Sequence, residues 1–238
     1  MAKFIDLSIT FSSKGVFKGS KPQITYFSHE QRAASNVISR GLQPSDFKDG
    51  KFLAQESVTL GTHDGTHFDA PFHMSPTCEG KPSRTIDQIP LEWCYGDGVM
   101  LDFHHKKNGE GITTREVIEA LDKIGYQLKP GDIVLIRTDA DKLYGQAGYE
   151  DSQCCGVSRE ATLWLIEHGI KVMGIDAYTW DRPIALMEKE VKEGKKEQFF
   201  ESHYLGGERE YCHMERLANL DKLPRPFGFK LMVFPIKI

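Results

Sequence analysis

The chain has 238 residues, 39% of them hydrophobic, and a formal net charge of −4. That apolar content suffices for one sizeable core, while the scattered lysines and arginines form no basic stripe of the kind nucleic acid requires. The longest strongly apolar run, LMVFPI at 231–236, is far too short to span a bilayer, and the opening MAKFIDLSIT lacks an apolar signal stretch, so a cytoplasmic protein with no membrane partner is expected.

In chain order, KFIDLSIT (3–10) alternates and predicts a first strand. Residues 11–50, rich in Lys, Ser, Gly and Gln without a sustained period, read as an arm or loop region with room for one short helix. FLAQESVTLG (52–61) ends in alternating Val58 and Leu60 and predicts a strand, as does GDGVMLDFH (96–104). TTREVIEALDKIG (113–125) is the clearest helix: Thr113 and Glu116 form a capping box, Val117, Ile118, Leu121 and Ile124 recur at helical spacing, and Gly125 supplies the stop. GDIVLIRTD (131–139) is a continuous apolar run, the mark of a strand buried on both faces. The pattern repeats, with Ser158 capping a helix that ends at Gly169 and KVMGID (171–176) following as a strand.

MEKEVKEGKKEQ (187–198) is densely charged with mixed sign, a solvated helix or loop within a charged insertion at about 183–200, and GFKLMVFPIKI closes the chain as a last strand. Strands interleaved with helices predict an α/β protein with a mixed sheet. No GxGxxG or Walker loop supports nucleotide binding. The five cysteines include the adjacent Cys154 and Cys155 and no CxxC pair, which argues against thiolate zinc and disulfides and for a reducing compartment.

The chemistry concentrates in LGTHDGTHFDAPFHMSP (60–76), where His63, His67, Asp69 and His73 are spaced by Gly, Thr and Pro. On a helix Asp69 would sit about 240° from His63. On a straight strand His63 and His67 would lie about 13 Å apart, too far to share an ion with ligand bonds of about 2.0–2.2 Å. A bend removes the difficulty. Asp64-Gly65 is a strong turn dipeptide, His67 and Asp69 are neighbours about 6.6 Å apart on one strand face, and Pro71 redirects the chain before His73. Imidazole and carboxylate without thiolate suit zinc, manganese or iron(II).

HDGTHFDAPFH resembles the HxGTHxDxPxH signature of the metal-dependent cyclase family, which includes bacterial kynurenine formamidases and isatin hydrolases. IDLS (5–8), LKPGDIVLIRT (128–138), GIDA (174–177) and HMERLANLDKLP (213–224) follow in that family's order. The resemblance implies a swivelling β/β/α-type α/β domain spanning 1–238 with a mixed, partly barrel-like sheet, assembled as a homodimer or higher homo-oligomer. It implies that His63, His67 and Asp69 hold a divalent metal, zinc or manganese, and that His73 is the general acid/base. His203 and Glu215 would complete a second metal site, with Asp69 bridging two ions, so that one or two ions per subunit are expected; His213 is the alternative to His203. His29, His104, His105 and His168 carry no assigned chemistry.

After GIDA the chain reads YTWDRP, where formamidase-like relatives tend to have a Pro-Ser pair. Tyr178 and Trp180 follow a strand end, where α/β proteins place binding loops, and are expected to line the substrate pocket. The expected activity is metal-dependent hydrolysis of an amide (cyclic, imide or N-formyl) or a related ester by metal-activated water. A cyclase or dehydratase that stabilises an enolate is the first alternative. A non-catalytic metal-binding protein is the second, and His73 beside the ligand set argues against it.

Overall fold

The computed structural model describes every residue except 1–2, 14–20, 37–39, 148, 150–153 and 238. The chain divides into two compact units, residues 11–64 and residues 1–10 with 65–238. In the smaller unit, β1 (Gln23–Phe27) is followed by α1 (His29–Asn36) and then pairs antiparallel with β2 (Gln55–Thr59), Gln23 opposite Thr59 and Phe27 opposite Gln55. The expected arm therefore extends to residue 64 and contains a hairpin. QITYF alone shows no clean alternation, and its partner strand lies far along the chain, so no local pattern announces the pair.

The larger unit contains β3 (His67–Asp69), α2 (Pro71–Met74), β4 (Thr77–Cys78), β5 (Lys81–Pro82), β6 (Tyr95–Asp102), β7 (Gly111–Ile112), α3 (Thr114–Ile124), β8 (Ile133–Arg137), β9 (Gly156–Val157), α4 (Arg159–Glu167), β10 (Val172–Ile175), α5 (Ile184–Lys192), α6 (Glu201–Leu205), β11 (Cys212–Glu215) and β12 (Phe227–Met232). Its main sheet is mixed and runs β12-β6-β8-β10-β11-β3. The pairings β6/β8, β8/β10 and β10/β11 are parallel, and the edge strands β12 and β3 are antiparallel to their neighbours.

Both faces of this sheet are covered. Val134 and Ile136 of β8 pack with Val117 and Leu121 of α3 and Ala161 and Leu165 of α4. Ile133 and Leu135 point the other way, against Met214, Leu217 and Leu231. The helices start where the sequence puts them: the Thr113 hydroxyl accepts from the Glu116 amide, the Ser158 hydroxyl from the Ala161 amide, and Gly125 closes α3 at φ 66°.

Two expectations are corrected. Residues 3–10 form no strand, because their polar groups are met singly: Leu7 accepts from the Ala218 amide, the Ile9 amide donates to Thr66 Oγ1, and the Asp6 carboxylate turns back to the Ser8 amide. The last strand is shorter than expected and ends at Met232. The charged stretch at 183–200 forms α5, anchored by the buried Met187 and by a paired contact of Arg182 with Glu190 at 3.1 and 2.6 Å. No helix among the described residues is long and apolar enough to cross a membrane.

Candidate metal centre

The site is built where β3 pairs with β11. Their antiparallel register sets Asp69 opposite His213 and His67 opposite Glu215. Side chains alternate along a strand, so Phe68, Cys212 and Met214 enter the apolar layer while the four polar residues share the other face. Directly opposed residues have Cβ atoms about 4.5–5.5 Å apart, which brings the polar ends together. Nε2 of His213 lies 3.2 Å from both Asp69 Oδ2 and Glu215 Oε1. Nε2 of His67 lies 3.6 Å from Asp69 Oδ2 and 3.5 Å from Glu215 Oε2.

A fifth residue comes from α6. His203 puts Nε2 3.5 Å from Glu215 Oε1, and donor atoms of Asp69, His203, His213 and Glu215 all lie within 4.8 Å of one another. All four are buried. Nδ1 of His203 is 2.5 Å from Asp181 Oδ2, and the Asp181 carboxylate also accepts from the amides of Ser202 and His203 at 2.8 and 3.1 Å. Asp181 thus fixes the ring and leaves Nε2 facing the cluster. Gly65, in the left-handed conformation at φ 64°, does the same for His67, its carbonyl 2.9 Å from Nδ1. Glu215 Oε1 accepts from the Trp180 amide at 2.7 Å.

Two carboxylates in a desolvated space repel each other unless positive charge lies between them. Burial works against charging His67, but contacts with Asp69 and Glu215 outweigh it and hold the ring up at about 10. The same opposition holds His213 at about 9. Burial tends to raise Glu215, yet His213 and His67 keep it well below the usual carboxylate range.

The residues fit a divalent cation. His213 is completely buried, and its Nε2 faces two carboxylates at 3.2 Å while Nδ1 has no hydrogen-bond partner, a costly arrangement for polar atoms in a low-dielectric interior. Two carboxylates with neutral imidazoles offset a charge of +2, and an N/O donor set without thiolate suits zinc, manganese or iron(II).

The structure brings together His67, Asp69, His203 and Glu215, and sets His213 beside His203. His63 lies in the smaller unit. His73 sits on α2, exposed, its ring centroid 5.8 Å from that of His203 in a T-shaped contact. Tyr178 is half-buried under the Arg216 guanidinium, 3.9 Å from the ring centroid.

Trp180 is a correction. Its ring is fully buried, stacks on His213 at 5.8 Å and donates from Nε1 to Thr162 Oγ1 at 3.0 Å, so it backs the cluster instead of lining a pocket. Sequence reasoning gave Asp181 no role. Its only local signal is its place in YTWDRP.

The family model described as putative cyclase matches residues 5–182. The chain belongs to this cyclase family. An isatin hydrolase of Roseibium aggregatum is 28% identical over 198 residues, 80% of this chain and 72% of that protein. Cyclase-like protein 1 of Arabidopsis thaliana is 30% identical over 134 residues, 56% of this chain and 49% of that protein. Isatin hydrolase A of Labrenzia aggregata, solved with benzyl benzoate, superposes with a TM-score of 0.72 at 24% identity, covering 98% of this chain and 87% of that one, and so shares the cyclase-family fold.

Two outcomes follow from the charge arrangement and the His203 anchor. Ligating imidazoles must be neutral, whereas His67 and His213, raised to about 10 and 9, carry protons at neutral pH. Titrating chelator-treated protein with manganese or zinc near pH 7.5 releases about two protons per chain, and affinity rises with pH until those groups deprotonate. Calorimetry in buffers of different ionisation enthalpy reads the release directly. Asp181→Asn lowers metal affinity by about 10- to 100-fold, the usual effect of losing a carboxylate behind a ligating histidine; competition with a chelating dye measures it.

Proposed function

We propose that this protein is a metal-dependent amidohydrolase that opens an amide, cyclic amide, imide or N-formyl bond, or a related ester. The observation that carries the reading is the buried His67/Asp69/His213/Glu215 face with His203 beside it, in a chain related over most of its length to an isatin hydrolase. Zinc or manganese, one or two ions per chain, would be held by His67, Asp69, His203, His213 and Glu215. A divalent ion there would polarise a carbonyl and make water a nucleophile near neutral pH.

The chain's own groups supply the proton transfers. His73 lies at the rim of the cluster, edge-on to His203 and open to solvent. An imidazole there is able to accept a proton from the attacking water and return it to the departing nitrogen. Asp181 and Gly65 orient His203 and His67 and stay outside the proton path.

The family's description as a putative cyclase favours a second reading, carbon–oxygen bond formation or loss through an enolate. Solvent ¹⁸O separates the two: hydrolysis places one solvent oxygen in the acid product, and cyclisation places none.

We also propose a homodimer or higher homo-oligomer in the cytoplasm. An isolated two-stranded hairpin is marginal in water, and β1–β2 leaves Tyr26 and Val58 exposed at 66% and 49%, an apolar surface that a second copy would cover. Cys78, Cys94, Cys155 and Cys212 are buried thiols, which suits the reducing compartment proposed here. Light scattering at micromolar concentration checks the assembly, and a monomer there contradicts it.

His73→Ala keeps its metal and loses amide hydrolysis by about 10²- to 10⁴-fold, the size of a lost acid/base contribution. Metal analysis beside rates on N-formyl arylamines, cyclic imides and lactones is the measurement. Near-wild-type turnover would leave His73 without the assigned role.

A further inference from the structure

At the C-terminal end of β11 the residue after Glu215 is Arg216, and its environment is unusual for a cation. It is only 9% exposed, its Nε has no hydrogen-bond partner, and no carboxylate of the described residues forms an ion pair with it. Its contact is with a ring face: the guanidinium carbon lies 3.9 Å from the Tyr178 centroid. The buried carboxylate at the C-terminal end of the neighbouring strand β10, Asp176, is already engaged, with Oδ1 accepting from the Thr138 amide and hydroxyl and Oδ2 from the Asp139 amide.

A guanidinium is cationic at every working pH, and burying one without a counter-charge is strongly unfavourable. A cation–π contact recovers only part of that cost. The backbone adds a second sign of constraint. Arg216 is held at φ 57°, a left-handed conformation that L-residues adopt at a cost. It is fixed there by its amide donating to Ala177 and its carbonyl accepting from Thr66 Oγ1 at 2.5 Å. Strain of this kind persists where the surroundings over-determine it, and it clusters at ligand-binding positions.

The neighbours are also donors in want of an acceptor. Thr179 buries a hydroxyl with no partner, and so does Tyr149, whose ring packs against Tyr178 at 5.8 Å. Arg216 is joined to Glu215, so their Cα atoms are about 3.8 Å apart. Arg216 thus directly follows a carboxylate of the cluster along the chain.

We propose that Arg216, stacked on Tyr178, is the substrate-recognition residue of the site and takes a carboxylate that the substrate carries in addition to its scissile bond. The substrate class is then an acid-bearing amide rather than a neutral one. The inference rests on the hydrolase reading for the word substrate, but the binding it asserts can be measured without turnover.

The test uses the metal-loaded protein and two probes of one shape, benzoate and benzamide, by isothermal titration. Wild type binds benzoate tighter than benzamide by about 10- to 100-fold, the range of a hydrogen bond to a charged group. Arg216→Met abolishes the preference with metal content unchanged, and Arg216→Lys restores part of it. Equal binding of the two probes by wild type, or a preference that survives in Arg216→Met because the carboxylate sits on the metal, overturns the proposal. Should Arg216→Met not fold, Arg216→Gln and Arg216→Lys give the same comparison.

Kinetics separate the two readings. Hydrolysis of acid and neutral amides with equal KM in wild type overturns the role of Arg216 and leaves the hydrolase reading standing. A benzoate preference in a protein that cleaves no amide or ester overturns the hydrolase reading alone.

Discussion

Everything at the site depends on one antiparallel pairing, β3 against β11, with Asp69 opposite His213 and Glu215 opposite His67. Because side chains alternate with period two, a slip of β3 by one residue would turn His67 and Asp69 towards the apolar layer that now holds Phe68, Cys212 and Met214, while β11 stays held by β10. The register is thus enforced from both sides, by exclusion of charge from the core and by burial of three apolar side chains. That makes an edge strand of three residues specific enough to carry the signature motif.

The pairing creates an electrostatic debt that the fold does not settle alone. Asp69 and Glu215 approach the same His213 nitrogen at 3.2 Å in a buried space, and the local answer is to hold His67 and His213 protonated. A divalent cation resolves the same conflict with neutral rings. Around this centre the outer contacts aim rather than ligate: Asp181 on His203, the Gly65 carbonyl on His67, the Trp180 amide on Glu215 and the Trp180 ring on His213. The short α6 can offer a ligand because Asp181 holds both its first amides and its histidine.

What the sequence discloses is what is local. The capping box of α3, the continuous apolar run of β8 and the bend at Asp64-Gly65 each rest on residues a few positions apart, and each is present. Distant pairings are hidden. The hairpin β1–β2 joins segments about thirty residues apart with weak alternation, and residues 3–10 look strand-like but meet their partners one at a time. At the site, the resemblance to the family signature pointed to His67 and Asp69, and its spacing pointed to His203 and Glu215. His213 was legible as the residue two before Glu215, hence on its face once the segment is known to be a strand. Trp180 shows the opposite limit: its place after β10 was readable, but whether its ring turns outward or onto His213 is decided by a Thr162 hydroxyl from another helix.

The most direct test of the account is anomalous diffraction from crystals of the manganese- or zinc-loaded protein, collected at the metal's absorption edge. The account predicts a peak within bonding distance, about 2.0–2.2 Å, of both a β3 ligand and a β11 ligand, with His67 or Asp69 on one side and Glu215 or His213 on the other. A loaded crystal whose anomalous signal lies elsewhere, with Asp69 and Glu215 still facing protonated imidazoles, would contradict it.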